Sequence, residues 1–502
     1  MALERLLAFP LRRRRPALLT LVAVLLLAGP TSASTHPSVW GGADCVAPAD
    51  LRQIVDDAAA AAPAGDFSVN GRGSGASGFS VALSQRGCGR FVYAVGQRDV
   101  ERGWPMTRRT RQHIGSLTKA LTGIIAVRLA AVGAFGAQGL DATVDRFLSA
   151  EDLTTLTVGR DPAAPACPAD IVALNRLTGV PEPVSATCPN LSTVTLRQLL
   201  NGNHGMFDFV NEVDRDGNGF LETDEYALGA LLDVLGVPRR TLPPGTDSAF
   251  ELLAAYGLLA HPGATIGGTG LEDYERTFGT TGHTLFGIIA ERVTGLTLDD
   301  LLAVAIPLCR SAPPMISLTA PPSPERGIAR QYLVTSGADL VGLPEDLFGV
   351  YPQVDVAGNP AVNVYDLGPF IVTNSGGAAG SVVATPDAYR RTLRRLLTGR
   401  LLGRAAQHLF DASFQPITEM PGVFHGFGLF RFDDPEFGPG YAKSGRVTGS
   451  SCQALHFDDR VTTVVACKNG FDAFLGGSAP PSSTPVADLA RALVRAAVEG
   501  PH

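Results

Sequence analysis

At 502 residues, 45% hydrophobic and 18% charged, with 57 Gly and 36 Pro, the chain carries enough apolar material for one large or two medium cores, which excludes global disorder. Its formal charge of −7 falls to −11 once residues 1–33, with five arginines and one glutamate, are set aside. That balance argues against a nucleic-acid partner.

In chain order, residues 1–33 read as an export signal: Arg12 to Arg15 are the basic region, PALLTLVAVLLLAG is the apolar core, and TSA closes it before Ser34. The apolar run, about 14 residues, is short of the roughly 20 that span a bilayer, so no stable membrane insertion is expected after its removal. The adjacent arginines also permit twin-arginine export, and the mature protein is expected to be secreted or held in the periplasm or cell envelope. APADLRQIVDDAAAAAP then predicts a helix, and GFSVALSQRGCGRFVYAVGQRDV two strands joined by a turn. Apolar spacing of three and four predicts helices in SLTKALTGIIAVRLAAVG, LRQLLNG, TDEYALGALLDVLG, AFELLAAYGLLA and GHTLFGIIAERVTG. Residues 160–190 and 310–370, rich in Pro and Gly, predict long loops. HGFGLFRF, SSCQALHFDD and RVTTVVACKNG are strand-like, and PVADLARALVRAAVEG closes the chain as a helix. The expected fold class is therefore α/β (α+β): an antiparallel sheet flanked by helices, built from both chain ends (about 45–112 and 420–500). A mostly helical part with loops, about 113–419, is inserted between them.

Seven cysteines suit an oxidising compartment. Cys452 and Cys467 flank two β-rich runs whose midpoint falls between Asp459 and Arg460, so they would face each other across a hairpin. Cys167 and Cys188 bracket a Pro-rich segment and would staple it, while Cys45, Cys88 and Cys309 leave the pairing open.

HIGSLTKALTG places Ser116 and Lys119 at i and i+3, on one face of a helix start. A serine hydroxyl is a poor nucleophile until a neighbouring base takes its proton, and a lysine can serve only if partly neutral, which burial and a nearby positive charge favour. The bland alternative is that Ser116 caps the helix and Lys119 faces water. Lys443-Ser444-Gly445 in YAKSGRVTG supplies context. A strand edge ending in Lys and Ser can bind a substrate carboxylate, while Gly445 would let the ligand lie against the backbone.

Ser116-x-x-Lys119, then Lys443-Ser444-Gly445, in this order and with further segments between them, resembles the family of class C β-lactamases, D-alanyl-D-alanine carboxypeptidases and related esterases. TLRQLLNGNHGM, GHTLFGIIAERVTGLTLDDLL, NSGGAAGSVVATPDAYRRTLRRLLTGRLL and GFGL are similar to its remaining elements, and the likeness runs over roughly residues 67–497. The resemblance implies that Ser116 is the nucleophile and Lys119 its base. It also implies an oxyanion held by the Ser116 N–H and by one N–H from the strand after Gly445. The family's Y-x-N motif is altered, because FGTTGHTLFG puts Phe278 at the tyrosine and Thr280 at the asparagine. A phenyl ring cannot move a proton, so Lys119 acts alone, or Tyr274 brings its hydroxyl in, or the site binds without turnover. His204, where the family has serine, is a further candidate base.

Asp214 to Glu225, DRDGNGFLETDE, fits the twelve-residue EF-hand loop, with Asp214, Asp216, Asn218, the Phe220 carbonyl, Glu222 and Glu225 as ligands of a structural Ca2+ and HGMFDFVNEV as the entering helix. No organic cofactor is expected. The function expected is an exported serine hydrolase acting on a small-molecule or peptidoglycan-stem-like peptide, β-lactam or ester, monomer favoured. The alternative is a cell-envelope binding protein that keeps the cleft without turnover.

Overall fold

The structure is a computed structural model, and it describes residues 40–61, 68–69, 72–74, 78–99, 102–159, 167–174, 181–209, 213–214, 249–261, 279–310, 316–317, 327–336, 351–354, 362–366, 377–447, 449–469 and 485–500. The export signal and the segment carrying Tyr274 and Phe278 lie outside them. Among the described residues no helix is long and apolar enough to cross a membrane.

An eight-stranded antiparallel sheet organises the molecule. Its strands are β1 (Phe79–Gln85), β2 (Gly89–Val95), β3 (Gln415–Pro416), β4 (Phe424–Gly426), β5 (Leu429–Asp434), β6 (Gly438–Val447), β7 (Ser450–Phe457) and β8 (Thr462–Asn469). They lie in the order β3-β4-β5-β6-β7-β8-β1-β2, so the first hairpin joins the last one where Val465 faces Ala82. The sheet is thus built from both chain ends, as the strand patterns predict. Val81, Leu83, Val464 and Ala466 pack on helices α1 (Pro48–Ala61) and α11 (Pro485–Glu499) at one face. Ala454, Val465 and Cys467 belong to a second core, which includes apolar residues of α2 (Thr118–Ala131), α6 (Thr281–Thr294) and α9 (Pro386–Leu397). Burying both faces gives β1 and β8 continuous rather than alternating burial.

The middle of the chain departs from the helical expectation in two ways. Besides the helices α3 (Ala150–Val158), α4 (Leu196–Asn201), α5 (Ala249–Tyr256), α7 (Leu298–Ala305), α8 (Gly377–Gly380) and α10 (Arg404–Asp411), its described residues take part in three small three-stranded sheets. One pairs Ala169–Leu174 with Pro181–Ala186 and with Val213–Asp214. Helix α9, placed by sequence in the inserted part, packs on β1 and β8 and so completes a layer of the main sheet.

Three disulfides tie the described chain. Cys452 pairs with Cys467 directly across the β7–β8 ladder, Cys167 with Cys188, and Cys45 with Cys88, leaving Cys309 as a buried thiol.

Candidate active site

Strand Gln112–His113 runs into a 3-10 turn, Gly115–Leu117, from which α2 departs. Ser116 sits in that turn and Lys119 in the first turn of α2, so the motif straddles the junction. The i, i+3 spacing still brings the side chains together: Lys119 Nζ donates to Ser116 Oγ at 2.8 Å. Lys119 is 2% exposed, which removes the solvated-lysine alternative. The cap positions are Ile114 and Leu117, neither with a side-chain cap bond, which removes the capping-serine alternative. A hydroxyl against a buried amine is the geometry in which a proton passes from oxygen to nitrogen as the oxygen attacks.

Backbone contacts fix the turn. Gly115 adopts φ +52, and a Cβ there would lie 2.5 Å from Arg446 N. A Cβ on Gly445 would lie 2.0 Å from Ile114 O. Gly445 is therefore explained by two backbones in contact, and the side of it that a side chain would occupy faces the turn carrying Ser116. Ser450 Oγ donates to His113 O at 2.9 Å and the buried Tyr389 Oη to Leu117 O at 3.0 Å, while Ile114 N donates to Val382 O at 3.0 Å.

Strand β6 brings Lys443 to the same place. Strand alternation turns Lys443 inward, 3% exposed and 5.0 Å above the Phe430 ring, and leaves Ser444 exposed. Along β6, β5 pairs with residues 438–442 and β7 with residues 440–447. In the described ladders the 443–447 half thus has a neighbour on one side only, an edge on which an extended group can lie.

The opposite wall is polar. Thr280, at the head of α6 and 6% exposed, receives Lys119 Nζ at 3.4 Å, and its Oγ1 lies 3.4 Å from the Asp208 carboxylate. Asp208 is buried, and its segment is clamped to α6 through Thr281, which donates to Phe207 O at 2.7 Å and accepts from Phe209 N at 3.1 Å. His204 is buried, with Nδ1 accepting from Met206 N at 3.1 Å. His425 makes a 2.9 Å bond through Nδ1 to Asn201 O; burial, and then the Lys443 charge, bring its pKa down to about 3. Burial, then the charges of Lys119, His425, Lys443 and His204, hold His283 well below the usual histidine range. The two motifs meet where Gly445 lies against the Ile114 carbonyl. Asp208, His283 and His425 have no motif of their own in the sequence; the one signal was the position of Asp208 within HGMFDF, read there as an entering helix.

That helix is not formed. Residues 203–209 are non-helical, and Val213–Asp214 is a strand paired to Ala173 and Val172. Asp216, Asn218, Phe220, Glu222 and Glu225 lie outside the described residues. Among the described residues no group of three or more His, Cys, Asp or Glu side chains is placed to hold a metal ion. The expectation of a structural Ca2+ is withdrawn: loop spacing alone does not make the site when the element leading into it is extended rather than helical.

An antiparallel sheet covered by helices, with a serine, two buried lysines and a one-sided strand edge at its margin, defines the serine-hydrolase class that includes β-lactamases and penicillin-binding proteins. A family model described as Beta-lactamase matches residues 51–474, and the chain belongs to that family. No curated protein matches the sequence. Among solved structures, D-amino acid amidase from Ochrobactrum anthropi SV3 complexed with L-phenylalanine aligns with a TM-score of 0.57 at 18% identity, over 90% of this chain and 98% of its own. D-stereospecific amidohydrolase from Streptomyces sp. gives 0.52 at 18%, over 84% and 94%. The octameric penicillin-binding protein homologue from Pyrococcus abyssi gives 0.53 at 16%, over 89% and 77%. At these identities the likeness is one of fold.

Proposed function

We propose that the chain is an exported serine hydrolase in which Ser116 Oγ attacks an acyl carbonyl while its proton passes to Lys119 Nζ. The observation that carries this reading is the 2.8 Å bond between Ser116 Oγ and a lysine amine 2% exposed. The new C–O bond gives a tetrahedral intermediate whose oxyanion is held by the Ser116 N–H and an N–H of β6 after Gly445. Expulsion of the leaving group, protonated by Lys119, leaves an acyl-enzyme; attack by water, with Lys119 again as base, releases the acid and restores Ser116. The buried Lys443 supplies positive charge beneath the β6 edge that draws a substrate carboxylate, Ser444 is a candidate contact on the exposed face, and the substrate is a peptide, β-lactam or ester.

Thr280 and Asp208 carry part of the work for which the family uses a tyrosine. The Asp208 carboxylate, reached through the Thr280 hydroxyl, stabilises the ammonium that Lys119 becomes on taking the serine proton. It does so at the expense of the neutral amine needed beforehand. The two 3.4 Å contacts keep that opposing pull small. Tyr274 remains a candidate proton donor and Phe278 a candidate substrate-binding residue, both outside the described residues.

A fluorophosphonate and a fluorescent penicillin test the reading, followed by a substrate panel that includes D-amino acid amides because one fold neighbour is named a D-amino acid amidase and another a D-stereospecific amidohydrolase. Covalent labelling of the native chain, absent in Ser116→Ala, is the expected result. No labelling by either reagent and no hydrolysis of ester or amide would overturn it and leave the binding-protein reading.

A further inference from the structure

Away from the cleft, a cavity of about 280 Å3 is lined by Arg90, Val92, Arg108, Arg109, Thr385, Asp387 and Arg391. It lies between β2, the edge strand of the sheet, and the start of α9. Four strand steps separate β2 from β6, roughly 19 Å at ~4.8 Å per step, so this is a different place from the Ser116 site.

Its charges do not balance. One carboxylate, Asp387, is shared by Arg90 at 3.2 Å, Arg391 at 3.3 Å and the buried Arg390 at 2.7 Å. Arg108 and Arg109 add two exposed guanidiniums that form no ion pair among the described residues. Further along α9, burial and then the neighbouring Arg400 and Arg86 push the Arg394 pKa down, so positive charge is crowded along this helix as well. A protein of net charge −7 that gathers four guanidiniums around one hollow, and supplies one shared carboxylate against them, leaves a concave site of excess positive charge.

We propose that this hollow is a binding site for a phosphoryl oxyanion, either inorganic phosphate or a phosphomonoester. Guanidinium forks match an anion presenting several oxygens, and a dianion offsets more of the excess than a carboxylate does. The Thr385 hydroxyl accepts from Ala388 N at 3.2 Å as the helix cap, which leaves its O–H to donate to an anion beside the arginines.

The test is calorimetric titration of the full chain at low ionic strength with inorganic phosphate and, separately, phenyl phosphate. Saturable one-to-one binding is expected, weakened at least about tenfold in Arg108→Ala/Arg109→Ala and unchanged in Arg146→Ala/Arg404→Ala, which removes two exposed guanidiniums elsewhere. Tighter binding of phenyl phosphate identifies an organic phosphate as the ligand, and equal binding identifies the free ion. Absence of saturable binding of both, or equal weakening in the two double variants, overturns the proposal. Retained labelling of Ser116 in the Arg108→Ala/Arg109→Ala protein shows that the fold persists.

Discussion

The two walls of the cleft are made in different ways. On the nucleophile side, backbone lies on backbone: Gly115 against Arg446, Gly445 against the Ile114 carbonyl, and Gly428 against the Lys119 peptide, where a Cβ would come within 2.3 Å. On the other side, Thr280 meets Lys119, and Asp208 meets Thr280, through side chains at 3.4 Å. A wall fixed by main-chain contact cannot change residue without moving the nucleophile. A wall made of side-chain hydrogen bonds can exchange its members.

The comparison is broken most severely at Lys119. Lys119→Met should slow fluorophosphonate labelling of Ser116 by about 10^3-fold while leaving the unfolding midpoint near that of the native chain, measured by labelling time courses and urea melts. A labelling rate within a few fold of native removes Lys119 as the base. Next comes the rigid wall: Gly445→Ala forces Ile114 away and should cost about 2–3 kcal/mol of stability together with the activity, seen in urea unfolding and in labelling. A stable, active Gly445→Ala protein would show that this wall tolerates change after all.

Acid acts on the buried histidines of both regions. Burial brings His113 and His456 to about 4, and burial with Lys443 brings His425 to about 3, against an unfolded value of about 6.5. The unfolded chain therefore binds more protons between these limits. The contribution is fully present above about 6.5 and is lost as pH falls towards 3–4, at up to ~1.4 kcal/mol per pH unit for each histidine. Urea midpoints at pH 7 and pH 5 measure this slope, which His425→Gln should reduce; an unchanged slope would mean that His425 is already charged in the fold. The smallest effect belongs to the exchangeable wall. Thr280→Val and Asp208→Asn should each lower kcat/KM about tenfold, and the double variant little further, since both act through one contact. Additive losses in that cycle would separate the two residues.

Ser116 and Lys119 could be expected to meet from their i, i+3 spacing alone, and the fold brings them within hydrogen-bond distance. The Cys452–Cys467 bridge was legible because the hairpin midpoint fixes the facing pair. Cys45 and Cys88 were not, since three candidates remained and the contact depends on how α1 docks on the sheet. Asp208 lies 72 residues from Thr280, and only tertiary packing brings them together. Gly445 was read by analogy with a ligand surface, whereas its neighbour is the nucleophile's own backbone. The calcium loop shows the reverse error, a spacing without the helix that would aim it.

The central sheet joins β1 to β8, and Gln85 bonds to Thr462 across 377 residues of chain. The strand bearing Lys443 sits two places from that seam, so its support is complete only once β8 has been made. Such distant pairing is slow to find, and hydrolytic competence should therefore be among the last properties that a growing chain acquires. A ribosome-bound chain truncated before residue 462 should leave Ser116 without its finished setting, and the nascent protein silent until β8 has been made.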